Sequence, residues 1–374
     1  MFFLISDIII QMITIRNILL FVFLLSLIVS IHEFGHLVAA KIFGVYCSEY
    51  SIGFGPKLFS KKGKETEYNI RAIPLGGFVA MAGDTENSLE TSVDTTNIPP
   101  ERTLTGISKW KRIIIMMAGI MMNMLLAWLI YSLIVLYQGQ YVNSSLPQIK
   151  EVTLDSPAYN AGLKVDDIVT DIEFDNGLSL SPSSYMELIS FTSTYDGNGP
   201  WHLKVLRNND KVSIDVTPKY LDSEDRYIIG IVFSDAAVDV VKVNIFNCWY
   251  YGLKYLIFMV KLTVSSLVSI FKGYNLNSLS GPIGIYSTVS EAVKLGFMYY
   301  VELIAIISLN VGIMNALPLP IFDGGRVLLL IIEAIIGKPL SQKATNLIMT
   351  MSLVLLMMLL FFTTYNDIFK LIGG

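Results

Sequence analysis

The chain is poor in the residues with which soluble proteins cover their surfaces. Charged side chains make up 16% of its 374 residues, where about a quarter is usual. The net charge is only -4, and no basic cluster is long enough to grip a phosphate backbone, so nucleic acid is not expected as a partner. Cysteine occurs twice, at Cys47 and Cys248. The two fall in different segments, which excludes a disulfide framework and a cysteine-metal site. A cleavable leader is not expected either: the first basic side chain is Arg16, and no small-residue cleavage site follows the apolar core. Histidine occurs three times, so the placing of each one carries information.

What the chain has instead is apolar sequence, 53% hydrophobic, gathered in blocks. Four of them, 17–43, 113–137, 299–317 and 344–362, approach or exceed the roughly 20 residues that a membrane-spanning helix needs. A further stretch, 246–271, is apolar but interrupted by Lys254 and Lys261, and reads as an amphipathic helix lying in the membrane interface. Lysine and arginine crowd the connection between the first two blocks (Lys57, Lys61, Lys62, Arg71, Lys109, Arg112) and reappear between the last two (Arg326, Lys338, Lys343). Both connections are therefore expected on the cytoplasmic side. The acid-rich stretch 143–240 and both termini then lie outside.

The expected fold is a polytopic α-helical membrane protein of about four transmembrane helices. Its parts are an N-terminal membrane region, 1–142, an extracytoplasmic domain, 143–240, and a C-terminal membrane region, 241–374. Segments Glu49–Phe59 and Glu67–Met81 read as strands of a β-hairpin, over 49–81, too apolar to lie free of the membrane. Residues 85–100 are Ser/Thr/Asn/Pro-rich and read as mobile. In the outer stretch, alternation predicts strands at Asp167–Phe174 and Tyr227–Phe233 and a hairpin of Trp201–Arg207 with Lys211–Pro218. Short helices are predicted at Ser156–Ala161 and Ser184–Phe191.

Ile31-His32-Glu33-Phe34-Gly35-His36 lies inside the first apolar block. Ionisable groups are costly in lipid, so three within five positions require a reason. On a helix His32 and His36 fall on one face and can share a metal ion, with Glu33 beside the first ligand as a general base toward water. His202, the third histidine, sits on an outer strand and reads as a surface residue. The third ligand is then a carboxylate or water, and Asp323 is the best carboxylate candidate. It follows Leu317-Pro318-Leu319-Pro320 and precedes Gly324-Gly325, a broken helix tolerated at membrane depth where it lines a protein-buried or wet cavity. Read alone, Asp323 is equally well explained as a turn residue.

HEFGH together with Asn315-Ala316-Leu317-Pro318-Leu319-Pro320-Ile321-Phe322-Asp323-Gly324-Gly325 resembles the site-2 protease family of intramembrane zinc metalloproteases, in particular the bacterial branch that cleaves membrane-bound anti-sigma factors. Further segments fit. Ser51–Pro56 and Pro74–Phe78 look like its membrane-associated hairpin, Gly119 and Asn123 like its GxxxN element, and Ser280–Gly284 like the turn before its third span. Asp155–Ala158 and Ala161–Val169 resemble one bacterial PDZ domain, with Asp166 where a glycine is usual and only Ile228–Ile231 as a candidate carboxylate-binding loop. The resemblance implies one Zn²⁺ held by His32, His36 and Asp323, with Glu33 catalytic. It implies a single-span membrane protein as substrate, of the anti-sigma-factor or remnant-signal-peptide class, and contacts to the unwound substrate from Asn315, Asn310 and Asn123. Two other classes of protein make different demands. An idle PDZ scaffold needs none of His32, Glu33, His36 and Asp323. A transporter calls for paired broken helices, where mainly one broken segment is found.

Overall fold

A computed structural model describes residues 2–84, 97–143, 147–175, 177–182, 184–192, 195, 199–221, 226–234, 239–271, 279–338 and 340–373. In chain order its principal elements are α1 (Phe2–Ile42), β1 (Cys47–Lys62), β2 (Glu67–Met81), α2 (Lys109–Gln138), β3 (Gln140–Asn143), β4 (Ile149–Val152), α3 (Pro157–Asn160), β5 (Ile168–Phe174), β6 (Ser179–Leu180) and α4 (Tyr185–Thr192). They continue as β7 (Trp201–Arg207), β8 (Asp210–Val216), β9 (Lys219–Leu221), β10 (Arg226–Ile228), β11 (Ile231–Phe233), β12 (Asp239–Lys242), α5 (Cys248–Phe271), α6 (Pro282–Leu295), α7 (Phe297–Asn315), α8 (Asp323–Ile336) and α9 (Gln342–Gly373). The chain divides into two compact units, residues 1–131 with 280–374, and residues 132–279. Most of the segment expected to be mobile, 85–96, lies outside the described residues.

The first unit is a helical bundle whose core joins Leu24 and Ile28 of α1 to Val289 and Ala292 of α6 and Tyr300, Leu303 and Ile304 of α7. Cross-links set the helix directions. The Tyr300 hydroxyl donates to Leu20 O (2.8 Å) near the start of α7, and the Ser308 hydroxyl donates to Asn123 O (3.0 Å) farther along it. Asp323, just past the end of α7, meets His32 and His36 near the end of α1. Helices α1 and α7 therefore run parallel, with α2 antiparallel to both. Gly35 lets α1 approach the α2 backbone at Ala118 so closely that any Cβ there would collide. Among the described residues, five helices are long and apolar enough to cross a membrane: the four expected and α5, over Cys248–Val268.

Strands β1 and β2 depart from the simple hairpin read from sequence. Residues 49–52 pair on one side with 67–70 and on the other with 77–80, while Lys57–Lys62 pairs with Glu67–Arg71. Two long strands thus make four rungs, because both bend sharply. Gly53, Gly55 and Gly76 supply the positive φ of these bends, which side chains with a Cβ rarely adopt. Arg71 locks the curl: its guanidinium donates to Glu49 Oε1 (2.6 Å), Ser51 Oγ (3.0 Å) and Gly55 O (2.6 Å). Outside the membrane helices, Glu67 is held down to about 2 by hydrogen bonds from Lys57 and then Ser60. The outermost rung, 77–81, has no strand on its far edge among the described residues.

The second unit holds a four-stranded sheet in the order β6-β5-β7-β8 and three two-stranded pairs, β9 with β10, β4 with β11 and β3 with β12. Its entry and exit are side by side, Gln140 opposite Lys242 and Asn143 opposite Asp239. The inward positions of β7, Trp201, Leu203 and Val205, are buried, and His202 and Lys204 between them are exposed, the period of two expected of a half-buried strand. Asn208 and Asn209 take the positive φ of the turn that joins β7 to β8. The Ser156 side chain caps α3 by accepting from Tyr159 N (3.2 Å). The segment 227–233, expected as one strand, is cut at Gly230, whose φ of +80° ends β10 and turns the chain into β11. Burial alone would raise the Asp167 carboxyl, but hydrogen bonds from Arg207 (2.7 Å) and from Lys164 N (2.9 Å) outweigh it and hold it below the usual carboxylate range. An apolar groove of about 390 Å³ lies between α4 and β10–β11, lined by Tyr185, Leu188, Ile189, Ile229, Ile231 and Phe233.

Candidate metal centre

The apolar run of α1 gives a helix that stays regular through HEFGH, so His32 and His36 are one turn apart on one face. Their Nε2 atoms are 3.2 Å from each other, and Asp323 Oδ2 is 3.0 Å from the first and 3.2 Å from the second. Asp323 arrives there because Pro318 and Pro320 end α7 and the chain turns to begin α8 at Asp323 itself. The two glycines after it admit this turn. A Cβ on Gly324 or Gly325 would strike the backbone of Ala316 or Leu319. Both histidines are buried. They and Asp323 are the one group of three potential metal-binding side chains among the described residues.

The three atoms suit a zinc ion. A tetrahedral site with bonds of about 2.0–2.1 Å has edges of about 3.3–3.4 Å, close to the spacings seen. Asp323 Oδ2 is also buried with no hydrogen-bond donor assigned to it, as a carboxylate oxygen reserved for a cation would be. His36 has its orientation set from behind. Its Nδ1 faces Ile115 O at 2.8 Å, and a carbonyl only accepts, so Nδ1 carries a proton, and in the neutral ring Nε2 keeps its lone pair.

A cavity of about 260 Å³ opens onto the three ligand atoms, lined also by Glu33, Asn315 and Arg326. Glu33 is half-buried and faces this space beside the histidines. The Gly77 backbone of the last β2 rung lies close to Glu33 and Val29, and Val79 and Met81 of the same rung line the cavity wall. Of the asparagines expected at substrate, Asn315 lines the cavity, while Asn310 and Asn123 do not. Asn123 is fully buried behind His32 instead. His202 belongs to the second unit, where it pairs with Asp215 at 2.7 Å. Arg326, Ile115 and the crowding at Gly119 did not come out of the sequence reading. For Arg326 a signal existed, its place three residues after Asp323 on an amphipathic helix.

Residues 20–359 match the family model Peptidase family M50. A protein of Clostridium acetobutylicum named as a zinc metalloprotease is 32% identical over 353 residues, covering 94% of this chain and 97% of that protein. The regulator of sigma-W protease RasP of Bacillus subtilis is 29% identical over 429 residues, covering 96% of this chain and 99% of the relative. The zinc metalloprotease RasP of Geobacillus kaustophilus is 29% identical over 431 residues, with the same coverage of 96% and 99%. A polytopic helical protein with this donor set and these relatives is a membrane zinc metalloprotease. The chain belongs to peptidase family M50.

Proposed function

We propose that the protein cleaves transmembrane segments of single-span membrane proteins, of the anti-sigma-factor or remnant-signal-peptide class, in a bacterial cytoplasmic membrane. The observation that carries this is the meeting of His32, His36 and Asp323 at one cavity with Glu33 beside them. His32, His36 and Asp323 hold the zinc. When bound, zinc supplies Lewis acidity to water and to the scissile carbonyl. Glu33 accepts the proton of the attacking water and returns it to the leaving amine. Asn315 donates to the backbone of the extended substrate. The open edge of the last β2 rung, beside Glu33, pairs with that backbone once its helix has unwound. The relative from Bacillus subtilis carries the name of a sigma-W regulator, which supports an anti-sigma factor as one substrate class.

The test is cleavage of a model single-span substrate by the purified protein in detergent or liposomes. Activity is expected to vanish on treatment with a zinc chelator and to return when zinc is restored. Cleavage that persists after complete removal of zinc would exclude this reading.

We read four complete spans, with α5 lying in the interface. Helices α1 and α7 run parallel and deliver their ligands at the same end, while α2 runs back. The chain must therefore enter α7 on the side where α2 leaves. One crossing by α5 would break that parity, and α6, at 14 residues or about 21 Å, is too short to restore it across about 30 Å of hydrocarbon. Lys254, stacked on Tyr250 and Tyr251 at 5.0 and 5.6 Å, suits an interfacial position. The basic connections assign the ligand end to the cytoplasm, and residues 143–240, read as a PDZ-like domain, to the outside. Cysteines placed singly at Asn244 and Phe271, in a chain without Cys47 and Cys248, should both react with an impermeant maleimide from outside intact cells. Labelling at position 271 only after permeabilisation would make α5 a span.

A further inference from the structure

Three positions on one face of α2, Ile115, Gly119 and Asn123, meet the two histidines. Ile115 O braces His36. Gly119 makes room, since a Cβ there would lie 2.8 Å from His32 Cε1. Asn123 lies beside the remaining ring nitrogen, its amide 3.4 Å from His32 Nδ1. The Asn123 side chain is completely buried and does not line the substrate cavity. Its backbone is tied to α7 by Ser308, and a Cβ added to Gly312 of α7 would lie 3.4 Å from its Cβ. It is thus held from behind and aimed at the ring.

The chemistry of His32 selects how that amide must stand. With Nε2 directed at Asp323 and His36, a neutral ring that binds metal through Nε2 carries its proton on Nδ1 and needs an acceptor there. In the structure Asn123 turns its nitrogen toward the ring, and Oδ1 is buried without a partner. A half-turn of the amide exchanges oxygen and nitrogen at almost no change in shape. Only the turned amide suits the metal-binding tautomer, because a donor facing an N–H is repulsive.

We propose that Asn123 is a positioning residue that accepts from His32 Nδ1–H and so fixes the tautomer and ring orientation through which His32 meets the metal. Helix α2 then braces both imidazoles, His36 through a main-chain carbonyl and His32 through a side-chain one. This rests on the reading of His32 as a zinc ligand.

The experiment measures zinc affinity by chelator competition on the full-length purified protein, independently of proteolysis. Asn123→Leu keeps the volume and removes the acceptor, and its zinc affinity should fall about 10–100-fold, the usual cost of losing an outer partner of a ligating histidine. Asn123→Asp keeps an acceptor at the same place and should stay within about threefold of the parent, on the same reasoning. If Asn123→Leu does not fold, Asn123→Ala takes its place. Leucine and aspartate variants that both bind zinc as the parent does, or that are weakened equally, would overturn the proposal, the second outcome marking a packing role. His32→Ala separates the two readings. If it binds zinc as tightly as the parent, the ligand assignment itself fails. If it loses zinc while Asn123→Leu does not, only the role of Asn123 fails.

Discussion

Glu33→Gln will retain zinc and lose cleavage, with the rate down by about 10²–10⁴-fold. Glutamine has the shape of glutamate and leaves His32, His36 and Asp323 untouched, so the metal stays. What it removes is the carboxylate that takes the proton of water and later protonates the leaving amine. No substitute is at hand in the cavity. Asp323 is already directed at both histidines, at 3.0 and 3.2 Å, and the Arg326 guanidinium carries hydrogen-bond donors only, with no lone pair to take a proton. The measurement is single-turnover cleavage of a single-span substrate, with zinc quantified on the same samples. Wild-type rates in the glutamine variant would remove Glu33 from the mechanism. Loss of zinc together with activity would show instead that Glu33 helps to hold the metal.

Gly119→Ala will abolish both zinc binding and cleavage, although it adds a single methyl group to a residue that does not line the cavity. That carbon would sit 2.5 Å from His36 Nε2 and 2.8 Å from His36 Cε1, well inside van der Waals contact. A flexible side chain would step aside. His36 does not have that freedom, because Ile115 O holds its Nδ1 at 2.8 Å and the metal-facing edge meets His32 and Asp323. Alanine otherwise favours a helix over glycine by about 1 kcal/mol, so α2 itself is not weakened. The loss in zinc affinity should exceed the roughly 10–100-fold that goes with an outer partner of a ligand, because a ligand is itself displaced. Met121→Leu, two residues along the same helix and exposed, serves as the control with unchanged zinc. An alanine variant that keeps stoichiometric zinc and full activity would show that the rings are not confined as described.

Much of this molecule is written in short stretches of sequence. Blocks of apolar residues about 20 long dictate their helices locally, and the four blocks expected to span form the helices α1, α2, α7 and α9, each long and apolar enough to cross a membrane. HEFGH carries its own geometry, since four residues of helix bring two imidazoles onto one face wherever that helix goes. The Ser156 cap and the Asn208-Asn209 turn are likewise local, because each is decided by the conformations of two or three residues. The strands in residues 47–81 were legible as strands, but not in their pairing. Which segment lies beside which depends on where Gly53, Gly55 and Gly76 bend the chain, and on the Arg71 contacts that hold the bends.

Sequence by itself determined that this is an apolar, multi-helix protein with two histidines and a glutamate on one helix turn, spaced as metal ligands and a base would be, and it pointed to Asp323 as a candidate third ligand. Composition and i, i+4 spacing suffice for that, because both act within a single element. Only the tertiary structure decided that Asp323 is a partner of those histidines rather than a loop residue. It alone set Asn123 behind His32 instead of in the cavity, made Ile115 O the brace of His36, and brought Arg326 to the wall of the site. These follow from contacts between positions about 80 to 290 apart in the chain. No local propensity encodes such a contact; it exists only once the helices have packed.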